Sequence, residues 1–148
     1  MTPTILLVED NASDEKLTRL AFKNCGVANE VVVLRDGAAA LEYVFATGEY
    51  AARDVHALPR VILLDIKLPK IDGLEVLRRL RGDPRTELLP VVILTSSKQD
   101  EDVLRGYELG ANAYVRKPVE FADFAVAAKT VGLFWLLLNE APPAHPKL

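Results

Sequence analysis

The sequence predicts an α/β domain built on a parallel sheet with helices on both faces. Three observations carry that prediction. Short apolar runs alternate with longer amphipathic segments from end to end, the pattern of successive βα units. Half of the 148 residues are apolar, enough for one proper core and too few for two ordinary domains. Four of the runs also lead directly into a polar residue: Asp10 after Ile5 to Glu9, Asp65 after Val61 to Leu64, Thr95 after Val91 to Leu94, and Lys117 after Ala113 to Arg116.

Taken in order, the elements make five βα units. The first helix begins near Asn11 to Ser13, carries Asp14 and Glu15 where the helix dipole favours acids, and stops at Gly26. Strand two is Glu30 to Leu34 and helix two Gly37 to Ala46. Thr47 to Arg60 is polar, irregular and long for a connection, so an exposed insertion is expected there. Asp72-Gly73 precedes a third helix, Leu74 to Arg81. Ser97-Lys98-Gln99-Asp100 has capping-box-like spacing before a fourth, which ends at Gly110. Phe121 to Asn139 supplies the fifth helix, closing one domain over residues 1–140. The proline-rich residues 141–148 cannot continue it and are expected to form a flexible tail. With no glycine-rich dinucleotide fingerprint, five such strands fit the flavodoxin-like order 2-1-3-4-5.

In that order strands one and three are neighbours, so Asp10 and Asp65 converge with Thr95 and Lys117 at the sheet's carboxyl edge. Two carboxylates, a hydroxyl and an ammonium there suit Mg²⁺ and one transferable phosphoryl group. Glu9, Asp10 and Asp65 would crowd three carboxylates together, a conflict that a hard divalent cation resolves. Mg²⁺ takes oxygen ligands and only one or two carboxylates, and no His or Cys set competes with it. Asp65 is then the candidate nucleophile for an aspartyl phosphate, with Lys117 pairing with the phosphoryl group and Thr95 donating to one of its oxygens. Taken singly, an Asp or Thr at a strand end more often caps the next helix, and a lone lysine is usually solvated. It is the joint occurrence that argues for a site. The Lys117-Pro118 step, between strand and helix, also raises the expectation of a cis bond aiming the lysine inward.

Composition narrows the partners. A net charge of −3 with no evident basic patch disfavours nucleic acid. The single cysteine, Cys25, cannot form an internal disulfide and reads as a small buried apolar side chain in a reducing compartment. No secretory signal is visible, and the apolar stretch Val131 to Leu138 falls far short of the roughly 20 residues of a membrane span. A cytoplasmic protein with no membrane contact is expected. Nothing after the fifth helix is large enough for an output domain, so signalling would pass through protein contacts.

Ile5 to Asn11, Leu64-Asp65-Ile66-Lys67-Leu68-Pro69 with Asp72-Gly73, Leu94-Thr95-Ser96-Ser97, and Gly110 to Pro118 follow one another as motifs. In that order they resemble the receiver domain of two-component response regulators over nearly the whole chain. The resemblance implies phosphoryl transfer from a sensor histidine kinase to Asp65, a phosphoprotein switch rather than a metabolic enzyme, which takes part in its own phosphorylation and dephosphorylation. It implies Mg²⁺ held by Asp10, Asp65 and the Lys67 backbone carbonyl, with Glu9 acting through water. Thr95 and Tyr114 match the family's switch pair, whose movement remodels the face of helix four, strand five and helix five. For Tyr114 a plain half-buried strand aromatic is the competing expectation. The insertion, Leu68-Pro69-Lys70 and the aromatic-rich last helix resemble the small regulators paired with bacterial phytochrome kinases. Lys67, two residues after the nucleophile, lies near the path of attacking water.

In the last helix Phe121, Phe124, Ala125, Ala128, Val131 or Gly132, Trp135 and Leu138 recur at helical spacing and predict a core stripe. Leu133, Phe134, Leu136 and Leu137 lie off it, leaving the last turns apolar nearly all round and predicting a symmetric homodimer there. Three rival functions compete with this reading. A haloacid-dehalogenase-type phosphohydrolase expects an acid where Lys67 stands, and a phosphotransfer role for His56 or His145 lacks a helix-bundle setting. A receiver-like interaction module that accepts no phosphoryl group is the stronger alternative, although every required side chain is present.

Overall fold

The computed structural model describes residues 4–143. Five parallel strands, β1 (Ile5–Val8), β2 (Val31–Leu34), β3 (Val61–Leu64), β4 (Val91–Thr95) and β5 (Ala113–Arg116), form one sheet in the order β2-β1-β3-β4-β5. Five helices connect and follow them: α1 (Ala12–Asn24), α2 (Gly37–Phe45), α3 (Gly73–Arg81), α4 (Asp100–Glu108) and α5 (Phe121–Leu133). The near-continuous apolar runs are explained by burial on both faces, as parallel sheets require. Alternation then divides them. Leu6, Val8, Ile62, Leu64 and Ile93 pack with residues of α2 and α3, while Ile5, Leu7, Val61, Leu63 and Val92 pack with Phe22 of α1 and Val131 of α5.

Local chemistry sets the helix boundaries. Asn11, Asp36 and Asp72 each accept a hydrogen bond from the backbone three residues on and so cap α1, α2 and α3. Gly26 and Gly110, with φ of 82° and 98°, turn the chain out of α1 and α4 in the left-handed region. α4 departs from the expected capping box: its cap residue is Gln99, with no side-chain cap bond, and the Ser97 hydroxyl instead donates to the Asp102 carboxylate. The insertion is only partly exposed. It contains a 3₁₀ turn at Gly48–Tyr50, buries Pro59, and is fastened by Arg53, whose guanidinium donates to the Tyr43 and Ala57 carbonyls while lying over the Tyr43 ring. Cys25 is half-buried rather than buried, its thiol donating to the Phe22 carbonyl at 3.4 Å.

The end of the last helix departs most from expectation. α5 stops at Leu133 and gives way to a π-helical turn, Phe134–Leu138, in which the Asn139 amide donates to the Phe134 carbonyl. The wider turn changes which residues face inward. Leu136, expected on the outer face, is 8% exposed and joins the core with Val131, whereas Leu138, expected inside, is 75% exposed. Phe121, the first residue of α5, is likewise 69% exposed. Phe121–Leu138 together make 18 helical residues of mean hydropathy 1.7, long and apolar enough to cross a membrane by length and composition alone. Here only 28% of the stretch is buried, with Phe124, Ala128, Val131 and Leu136 packed into the domain. Of the expected tail, residues 141–143 carry no regular structure and flank a surface cavity with Pro59, Arg60 and Pro90, while 144–148, including His145, lie outside the described residues.

The π turn makes a specific stability prediction. Leu136→Ala should cost about 3 kcal/mol, the range for truncating a buried leucine, and Leu137→Ala no more than about 0.5 kcal/mol. Urea denaturation of the two variants checks this, and equal losses would show that the wide turn does not set the inward face.

Candidate functional site

The last rungs of the sheet deliver the expected residues to its carboxyl edge. Beyond the strands, the Glu9 amide donates to the Leu34 carbonyl, the Asp65 amide to Val8 and the Lys117 amide to Thr95, at 2.9, 3.1 and 2.7 Å. The backbone ladder therefore holds Glu9, Asp65 and Lys117 in place independently of their side-chain contacts. Gly73 contributes by what it lacks: a Cβ there would sit 2.0 Å from the Asp65 carbonyl oxygen. Its amide instead donates to the Ile66 carbonyl at 2.7 Å, closing the loop after Asp65 onto the start of α3. The Asp72-Gly73 pair thus serves both the α3 cap and the placement of Asp65.

Asp65 is buried and fully engaged. Thr95 Oγ1 donates to its Oδ1 at 2.6 Å and Lys117 Nζ to its Oδ2 at 2.9 Å, while the Lys67 amide approaches Oδ1 at 3.4 Å. The lysine, its side chain 5% exposed, also donates to Glu9 Oε1 and, at 3.0 Å, to Asp14 Oδ2. An ammonium has three protons, and all three are used. Asp14 is a residue the sequence reading placed only as a dipole-favoured acid of the first helix turn. Its site role was signalled only by its position, on the turn that starts where β1 ends. Lys117 holds this place without the expected cis bond: no peptide bond among the described residues is cis. The ladder bond from the Lys117 amide and the three carboxylates suffice to aim the side chain inward.

Charge is unevenly distributed. Burial, reinforced by the negative charge of Asp65, pushes the Glu9 carboxyl up to about 7 despite its bond with Lys117. Burial would raise Asp65 as well, but hydrogen bonds from Thr95 and Lys117 outweigh it and leave the carboxyl below the ordinary value. Burial likewise opposes the charge on Lys117, and the bonds to Glu9 and Asp65 overcome it, raising the group above an ordinary lysine. Glu9, exposed Asp10 and Asp65 each offer a carboxylate oxygen, and these oxygens lie within 4.8 Å of one another. A cluster of hard oxygen donors, one of them pushed toward protonation chiefly by burial, fits a hard divalent cation.

Tyr114 is half-buried on β5, and its hydroxyl donates to the Ser97 carbonyl at 3.1 Å. The Ser97 amide in turn approaches Thr95 Oγ1 at 3.5 Å, so one loop residue touches both members of the expected switch pair. Gly106 of α4 leaves room for the ring, since a Cβ there would come within 3.2 Å of it. Leu133, Phe134, Leu136 and Leu137 are not part of this site. They end α5 near the amino edge of the sheet, where Arg60, just before β3, donates to the Asn139 carbonyl.

The order of the sheet and the meeting of Asp65, Thr95 and Lys117 at its carboxyl edge agree with the receiver arrangement expected from the motifs. Residues 5–129 match the family described as response regulator receiver domain, and the chain belongs to that family. Among curated relatives it is 41% identical over 138 residues to a probable methanogenesis regulatory protein, FilR2, of Methanothrix harundinacea, covering 93% of this chain and 86% of that protein. It is 38% identical over 140 residues to response regulator Rcp1 of Synechocystis, covering 95% and 93%. The Mn²⁺-bound form of Rcp1 superposes with a TM-score of 0.89 at 37% identity, covering 95% of this chain and 99% of that one. Phosphorylated RcpA, a cyanobacterial phytochrome response regulator, gives 0.89 at 38% identity, covering 97% and 100%. The bacteriophytochrome response regulator AtBRR gives 0.74 at 53% identity, covering 95% and 99%.

Removing the lysine should expose what it offsets. Lys117→Met leaves Glu9 and Asp65 buried without a counter-charge and should cost about 3 kcal/mol in metal-free buffer, the scale for breaking a buried pair. Millimolar divalent cation should recover part of the loss. Unchanged denaturation midpoints in chelator would contradict this account of the cluster.

Proposed function

We propose that this protein accepts a phosphoryl group from a sensor histidine kinase onto Asp65 and thereby switches its protein-contact surface. The observation that carries the reading is the pair of donors on one buried carboxylate, Thr95 on Oδ1 and Lys117 on Oδ2, beside the Glu9–Asp10 acids. In the transfer an Asp65 oxygen attacks phosphorus, the P–N bond of the phosphohistidine breaks, and its electron pair returns to the imidazole nitrogen, which takes up a proton. Charge spreads over the phosphoryl oxygens as this happens. Lys117 and Thr95 already stand within hydrogen-bond distance of the nucleophile and need only re-aim to meet those oxygens. Mg²⁺, when bound by Glu9, Asp10, Asp65 and the Lys67 carbonyl, supplies the remaining charge neutralisation.

The same residues serve the return reaction, in which water attacks the acyl phosphate. Exposed Lys67 stands where it can shape that approach. Movement of Thr95 toward the phosphoryl group pulls on the Ser97 loop, and through it on Tyr114 and the first turn of α4, because Ser97 is bonded to Tyr114 and Asp102. Similarity to RcpA and AtBRR supports a phytochrome-type kinase as the phosphodonor.

Phe134, Leu137 and Leu138, exposed by 46, 61 and 75% at the end of α5, support a symmetric homodimer through that turn, with Leu133 at its margin and Leu136 excluded. Sedimentation velocity should show wild type shifting to a slower species on dilution and Leu137→Glu sedimenting as that species throughout. A wild-type monomer at all concentrations would remove the dimer.

Intact-protein mass after incubation with acetyl phosphate and Mg²⁺ tests the central reading. One Mg²⁺-dependent phosphoryl adduct should form and be absent in Asp65→Asn. No adduct in wild type would leave the phosphorylation-independent interaction module in its place.

A further inference from the structure

Lys117 has three acceptors on three different elements, and two of them have other work in the proposed reaction. Asp65 would become an acyl phosphate, whose carboxyl no longer carries a full negative charge, and Glu9, clustered with Asp10 and Asp65, would help hold a divalent cation when one is bound. That leaves Asp14 Oδ2, 3.0 Å from Nζ, as the one protein acceptor the reaction does not draw away. We propose that Asp14 is a positioning residue for phosphoryl transfer: it anchors the Lys117 ammonium from the α1 side so that the protons released by Asp65 and Glu9 point at the transferring phosphoryl group. The proposal rests on the reading of Asp65 as phosphoacceptor.

The local structure holds Asp14 rigidly enough for that task. Its amide donates to the Asn11 cap at 3.0 Å, and its carbonyl accepts from the buried Thr18 hydroxyl at 2.8 Å, so its backbone is fixed within the first turn of α1. The side chain is 26% exposed against 9% for Asp65, placing it at the mouth of the site rather than among the reacting groups. A lysine on a flexible four-carbon stem gains the most from such an anchor, since its charge has no built-in direction. No cation ligation is required of Asp14. It acts through Lys117 alone.

The charge of Asp14 opposes the approach of an anionic phosphodonor, whereas its hydrogen bond orients the ammonium, and the two effects separate in a pair of variants. Asp14→Asn keeps an acceptor oxygen without the charge, and Asp14→Ala removes both. With acetyl phosphate at saturating Mg²⁺, Asp65 attacks phosphorus and acetate leaves with the electron pair of the broken P–O bond. The rate of adduct formation is read by intact mass, with thermal denaturation as the folding control.

Asp14→Ala should be slower than wild type by about tenfold or more, while Asp14→Asn stays within about threefold. Thr18→Ala, which weakens the same helix turn without touching the Asp14 side chain, should lower the melting temperature and leave the rate within about threefold. Asp14→Ala reacting as fast as wild type, or Asp14→Asn as slowly as Asp14→Ala, overturns the proposal while leaving the phosphoacceptor standing. Failure of wild type to form the adduct overturns the reading of the site itself.

Discussion

One ammonium group organises the carboxyl edge of this domain. Lys117 comes from the end of β5, Glu9 from the end of β1, Asp65 from the end of β3 and Asp14 from the first turn of α1, and the lysine bonds all three acids. Without it, Glu9 and Asp65 would be buried negative charges only ångströms apart, a situation proteins avoid by protonation or by a cation. Burial keeps the Glu9 carboxyl raised despite the lysine beside it. The clustered oxygens of Glu9, Asp10 and Asp65 fit a hard divalent cation, and in the proposed reaction a bound cation would leave the lysine free for the phosphoryl group.

The sheet makes that arrangement possible. Order 2-1-3-4-5 sets β1 beside β3 and β4 beside β5, and the ladder runs one residue past the strands so that Glu9, Asp65 and Lys117 are fixed by their own amides. The site thus stands on rigid backbone while the segment carrying its consequences, Ser97 to the start of α4, is a loop. Ser97 touches Thr95 through its amide, Tyr114 through its carbonyl and Asp102 through its hydroxyl. In the proposed switch a hydroxyl shift at Thr95 would reach α4 and β5 through this one residue, a short physical route for a change of surface.

Much of this was legible in the residue order because parallel strands interrupt their apolar runs only where function or solvent demands it. Asp65 and Thr95 stand out against Leu64 and Leu94, and two-residue alternation assigns Leu63 and Leu64 to opposite faces. Other features were hidden for physical reasons. Asp14 has the same signature as any acid stabilised by a helix dipole, and only the sheet's geometry brings it to Lys117. The outward turn of Leu138 and inward turn of Leu136 depend on a π turn, which breaks the 3.6-residue period used to assign faces. The trans Lys117-Pro118 bond shows that a ladder hydrogen bond and three carboxylates can aim a side chain that a cis peptide had been invoked to aim.

In the proposed reaction Lys117 and Thr95 leave the Asp65 carboxylate to meet a group attached to it. A crystal structure of the protein with Mg²⁺ and beryllofluoride tests this most directly. The account predicts beryllium bonded to an Asp65 oxygen, with Lys117 Nζ and Thr95 Oγ1 each within hydrogen-bond distance of a fluoride. Beryllofluoride absent from Asp65 at saturating concentration, or bound there with both donors still on the Asp65 carboxylate, would contradict it.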